Sequence, residues 1–217
     1  MNSKSFSMLC GFLALPILVA PPAYSQELQT IQLPQPQMEG GKPLMQALKE
    51  RKSTREFSPE KIPLQVLSNL LWASFGINRP SGQRTAPSAN NKQEIDVYVT
   101  TADGAYLYDA KENQLKQVVA GDIRALTGSQ PFVKDAPINL VYVADLAKAG
   151  RTDPAAIELY SGANTGFISQ NVYLFCASEG LVTVVRAMLG REALAKAMNL
   201  RSDQKIVLAQ TVGYPKK

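Results

Sequence analysis

Apolar residues along this chain recur first at helical spacing, then in alternation, then at helical spacing again. That change of period is the main guide to the fold. Pro43, Leu44, Met45 and Leu48 read as a short helix with proline in its first turn. Ser58-Pro59 then leads into "IPLQVLSNLLWASFGI", where Leu64, Leu67, Leu71 and Phe75 share one helical face. "NRPSGQRTAPSANN", Asn78 to Asn91, is dense in turn formers and reads as loop. Beyond it "IDVYVTT" (Ile95 to Thr101), "AYLYDA" (Ala105 to Ala110) and "QLKQVV" (Gln114 to Val119) alternate like strands, separated by "ADG" and "KEN" turns. "INLVYVAD", Ile138 to Asp145, is apolar enough for a central strand. A long helix is predicted from Pro154 to Glu179, closed by Gly180, then a shorter one from Arg191 to Met198 and a last strand in "KIVLAQTVGY". Helices and strands mix without a repeated strand-helix-strand unit, so the prediction is an α+β domain with antiparallel strands, not a doubly wound sheet.

The two ends read differently. "MNSKSFSMLCGFLALPILVAPPAYSQ" opens with one cation, Lys4, followed by an apolar stretch from Phe6 to Ala20 and small residues at Ala23 and Ser25. The run is shorter than the roughly 20 residues a membrane span needs and contains Pro16. Residues 1–25 are therefore expected to be a cleaved secretory signal, leaving no stable membrane anchor and placing the mature protein in the periplasm or outside the cell. Residues 26–42, rich in Gln and Pro, read as an extended arm, and residues 43–217 as the folded domain.

Composition removes whole classes of chemistry. The 217 residues include no histidine, which excludes Ser-His and Cys-His nucleophiles and histidine-ligated metals. Of two cysteines, Cys10 leaves with the signal, so Cys176 has no intramolecular partner and no thiolate zinc site can form. Without Lys4 there are 22 Lys and Arg against 18 Asp and Glu, a scattered excess that gives no reason to expect nucleic acid. "GANTGF" is not a dinucleotide fingerprint, and neither a P-loop nor a Gly-x-Ser-x-Gly elbow is present. An enzyme of this composition borrows its chemistry from a bound group.

Several separated segments suit a planar, anionic ligand. "ERKSTREF" brings Arg51, Lys52, Ser53 and Arg55 together as phosphate-type donors, with a solvated basic turn as the plain alternative. Pro87, Ser88, Ala89, Asn91 and Gln93 form a tight loop with amide side chains. "GLVTVVRAML" offers branched residues for a ring face and backbone amides near Arg186 and Ala187, and Lys216 and Lys217 add terminal charge. Gly162 and Gly166 sit inside the long helix, where each costs about 1 kcal/mol against alanine. Close packing against a helix of the same chain or against a second subunit would each account for them.

"RKSTREF" before an amphipathic helix, "APSANNKQ" entering a strand, "GFISQNVYLFCASEGL" and a near-terminal "VGYP" stand in the order of the nitroreductase family, which the chain resembles from about Leu44 to Pro215. "EIDVYV" is similar to the branch grouped with SagB-type dehydrogenases. The resemblance implies a nitroreductase-like fold, with a mainly antiparallel central sheet flanked by helices, an intertwined homodimer and FMN at its interface. It implies that Arg51, Ser53 and Arg55, with Lys52, hold the phosphate and ribityl chain, and that Lys216 reaches the phosphate. Pro87, Ser88, Ala89 and Asn91 would come from the partner subunit, Gln93 counts with them among the cofactor-binding residues, and Val185, Arg186 and Ala187 would lie near the isoalloxazine. Gln93 precedes Glu94-Ile95 where the family often has Pro-Trp, and Arg186-Ala187-Met188 stand where glycines or an acid are common, so substrate does not carry over. The implied function is an exported FMN-dependent oxidoreductase passing hydride to or from a small organic substrate, with an exported flavin carrier lacking turnover as the alternative. N-terminal sequencing of secreted protein should start at or near Gln26, whereas Met1 retained in a membrane fraction would contradict the signal.

Overall fold

The computed structural model describes residues 28–217, so the predicted signal and its cleavage point lie outside it. Seven strands form one fully antiparallel sheet: β1 (Thr30–Gln32), β2 (Ile95–Thr100), β3 (Gly104–Asp109), β4 (Gln114–Ala120), β5 (Ile138–Asp145), β6 (Val182–Arg186) and β7 (Gln204–Gly213). Their spatial order is β1-β4-β3-β2-β5-β7-β6. The helices are α1 (Leu44–Glu50), α2 (Leu64–Phe75), α3 (Phe132–Asp135), α4 (Leu146–Ala149), α5 (Pro154–Glu179) and α6 (Arg191–Ala197). The predicted α+β class is the one observed.

β5 is the apolar run it is because both of its faces are covered. Leu140 and Tyr142 pack into the larger core with Leu70 and Leu71 of α2 and Ile168 and Val172 of α5, whereas Val141 and Val143 face Leu194 and Met198 around α6. α5 begins with Asp153 capping the Ala156 N–H and Pro154 at its first position, and ends at Gly180 in the left-handed conformation.

Three differences from the sequence reading matter. The extended arm also contributes an edge strand that was not predicted, since β1 pairs with β4 and Leu33 is buried in the core. Three residues are too few to show alternation, which is why the pattern missed them. Val182 to Arg186, read as a ring-facing segment, is a strand that closes the sheet edge beside β7. Finally, the outward sides of Gly162 and Gly166 meet nothing within 4 Å, so packing within the chain does not explain them.

Candidate functional site

The segment after α1 has no regular structure, yet it is strapped down at several points. Thr54 N–H donates to Thr183 O (3.0 Å), and Ser53 forms a parallel bridge to Thr183. Phe57 bridges Pro215, and Ser58 N–H donates to Tyr214 O (2.9 Å). Residues 53–58 thus run from β6 across to the tail of β7. Gly213 permits the crossing, because a Cβ there would lie 2.9 Å from Pro137 Cδ and 3.2 Å from Phe57 Cδ1.

Tyr173 of α5 locks this strap from beneath. Its hydroxyl lies 2.7 Å from Ser53 Oγ and accepts the Val185 N–H at 3.0 Å, and its ring carries the Arg51 guanidinium 5.4 Å from the centroid. Arg51, Lys52, Ser53, Arg55 and Val185 are therefore brought together. Lys216 follows directly on Pro215 and lines, with Ser58 and Pro59, a hollow of about 350 Å³. Among the described residues, Arg51, Lys52, Arg55 and Lys216 take part in no ion pair. Four uncompensated cations on one strip attract an anion.

The second predicted group sits elsewhere. Ala89 N–H donates to Asn164 Oδ1 (3.3 Å), which ties the Pro87–Asn91 loop to α5 nine residues before Tyr173, or about 14 Å along the helix. One protomer does not bring these two halves together. Asn90, Asn91 and Gln93 all have positive φ, near 50° to 55°, a concentration of left-handed non-glycine residues typical of a ligand clamp. Gln93 is not free to meet a ligand. Its Oε1 accepts from Arg84 Nε (2.8 Å) and its Nε2 donates to Gly82 O and Asn91 Oδ1 (3.0 Å each). Its role is to hold the loop, which Ser88 also does by accepting the Gln93 N–H through Oγ at 2.9 Å.

Arg186 and Ala187 part company at the end of β6. Ala187 is exposed, but the Arg186 side chain is buried, donating to Thr127 O and Asn139 Oδ1. Arg186 therefore offers the site its backbone and not its donors.

Three contributors were missed: Tyr173, Asn164 and Glu94. Glu94 is fully buried, and its Oε1 accepts from Asn164 Nδ2 at 2.6 Å, which turns Asn164 Oδ1 toward Ala89. A signal was present in the stripe Ser161, Asn164, Thr165, Ser169 and Tyr173, whose polar residues occupy the buried face of α5. Cys176, one turn beyond Tyr173, is buried and its thiol is pushed far above its ordinary range by desolvation, so it is no nucleophile. Among the described residues no cluster could hold a metal, and no helix is long and apolar enough to cross a membrane.

Comparison with known proteins identifies the family to which this fold belongs. The model of the nitroreductase family matches residues 48–214. A solved structure from Ralstonia eutropha, described provisionally as a nitroreductase, superimposes with a TM-score of 0.83 at 44% identity, covering 87% of this chain and 90% of that one. A provisionally named nitroreductase of Methanocaldococcus jannaschii is 29% identical over 151 residues, 65% of this chain and 76% of its own length. An iodotyrosine deiodinase of Nematostella vectensis is 24% identical over 179 residues, 79% of this chain and 66% of its own. The fold is that of an α+β oxidoreductase. The chain belongs to the nitroreductase family.

Tyr173→Phe keeps the ring under Arg51 but removes both hydrogen bonds of the hydroxyl, the one with Ser53 and the one it accepts from the half-buried Val185 N–H. Urea unfolding should show a loss of about 1 to 3 kcal/mol. The exposed Tyr160→Phe should change stability by less than about 0.5 kcal/mol. Equal stability in both variants would mean that Tyr173 does not lock the strap.

Proposed function

We propose that this protein is an exported, homodimeric, FMN-dependent oxidoreductase acting on a small organic substrate. The observation that carries the reading is the strip of four unpaired cations, with Ser53 among them, braced against β6 and the C-terminal tail. A dianionic phosphate suits that donor set in a way that a carboxylate or a neutral ring does not. Bound FMN would supply the hydride chemistry that no side chain here can perform.

The chain's own residues would bind and orient. Arg51 and Arg55, with Lys52 and Lys216, would neutralise the phosphate, and Ser53 would donate a neutral hydrogen bond. The exposed Ala187 end of β6 would border the ring. The loop of Pro87, Ser88, Ala89 and Asn91 would approach from the partner subunit, since within one protomer it lies far from Ser53. The exposed glycines of α5, flanked by Leu159 and Phe167 at 64% and 48% exposure, would let the partner's backbone come close. Outside the cytoplasm nicotinamide cofactors are scarce, so the electron donor would be an organic molecule or another envelope component. Protons would come from solvent, because the site holds no histidine.

Arg51→Ala should weaken FMN binding about 10- to 100-fold, the equivalent of a charge-assisted bond worth about 1.5 to 3 kcal/mol. Riboflavin, which lacks the phosphate, should bind nearly as before. Paired titrations with both ligands, alongside a melting curve, check this. Equal losses for the two ligands would identify a plain basic turn.

Gly166→Leu should leave the protomer folded, because its outward side is open, yet weaken the dimer and with it flavin retention. Overpacking a close contact costs about 1 to 3 kcal/mol. Light scattering that reports an undisturbed dimer in this variant would place the interface elsewhere.

A further inference from the structure

Arg186 is an unusual tenant of a protein core. Only 6% of it is exposed, and among the described residues its guanidinium faces no carboxylate. Nη1 donates to Thr127 O at 2.6 Å and Nη2 to Asn139 Oδ1 at 3.0 Å, both neutral acceptors, while Nε has no partner. The Phe132 ring lies 6.0 Å from Cζ.

The surroundings are built to keep the group in place without cancelling its charge. Asn139 is itself fixed, accepting from Thr211 Oγ1 (2.6 Å) and donating to Val133 O (2.9 Å). At Gly128 a Cβ would collide with Arg186 Nη1, so the absence of a side chain makes room for the guanidinium. Burial lowers the Arg186 pKa to about 10, and no neighbouring acid counteracts it. The group therefore remains protonated at neutral pH.

A buried cation without a counter-ion is costly, and apolar residues of similar volume commonly replace buried charges without loss of stability. A purely structural pin does not need the charge. Its position suggests what does. Arg186 ends β6, directly after Val185, whose N–H joins the Tyr173 and Ser53 hydrogen-bond chain. The guanidinium thus lies within one side chain's length of the strand that borders the proposed ring site, in a region that water screens poorly.

We infer that Arg186 is an electrostatic support for the reduced cofactor, a fixed positive charge behind β6 that raises the midpoint potential of bound FMN. The inference rests on the FMN reading above. Reduction by two electrons and one proton adds one net negative charge to the cofactor. A fixed cation nearby therefore favours the reduced form over the oxidised form.

The test is a spectroelectrochemical titration of the FMN-loaded protein at neutral pH, comparing the parent with three variants. Arg186→Met removes the charge at similar length, Arg186→Lys keeps it, and Asn139→Asp leaves Arg186 in place but sets a carboxylate against it. Loss of the charge, or its compensation, should disfavour the reduced form about tenfold, which lowers a two-electron potential by about 30 mV. Arg186→Met and Asn139→Asp should both show this drop, and Arg186→Lys should stay near the parent even if its melting temperature falls. Should Arg186→Met fail to fold, the isosteric Asn139→Asp decides alone. An unchanged potential in a folded, flavin-loaded Asn139→Asp would overturn the inference and leave Arg186 as a pin for the turn around Thr127. A parent that takes up no flavin would instead refute the cofactor reading, a failure visible before any variant is made.

Discussion

The hydroxyl of Tyr173 is the point on which the site depends. It meets Ser53 of the basic strap and Val185 of the edge strand at once, so helix α5, strand β6 and the strap share one hydrogen-bond centre. The strap has no helix or ladder of its own to hold it. Without that centre, its remaining tethers are the bridges at Thr183 and Pro215 and a few backbone bonds. A rigid 26-residue helix thereby sets the position of a segment that local propensity leaves free.

The same helix explains why the protomer looks incomplete. Its buried polar stripe fixes the basic strap near one end through Tyr173 and the amide-rich loop toward the other through Asn164 and Glu94. No rearrangement of side chains closes a gap of two and a half turns. Two copies of the helix, brought together on the exposed glycine face, would supply strap and loop to each ligand. Electrostatics fits that arrangement. Four cations held on a strip, none of them in an ion pair among the described residues, repel one another, and an anionic ligand relieves the repulsion.

Much of the fold was legible because its elements obey simple periods. The long helix was bounded by Pro154 and Gly180, and in the structure Pro154 holds its first position and Gly180 ends it. β5 announced itself as an apolar run because both its faces are covered. β1 and β6 were not legible, since a short edge strand gains its identity from the strand it pairs with, not from its own pattern. At the site, charge and turn chemistry pointed to Arg51, Lys52, Ser53, Arg55 and the Pro87–Gln93 loop. Sequence gave no direction for side chains, however. Gln93 spends its amide within the loop, and Arg186 turns into the core. Tyr173 escaped notice because an aromatic on a helix reads as core packing, and only the position of Ser53 opposite it reveals a second task.

The central claim is that the strap grips the phosphate of a flavin mononucleotide. Its most direct test is the visible spectrum of protein purified from an exported preparation, followed by mass analysis of the chromophore released on denaturation. A flavin spectrum and a released mass matching FMN, in proportion to protomers, is the predicted result. A colourless protein that binds no added FMN would contradict it, as would a released flavin that lacks the phosphate.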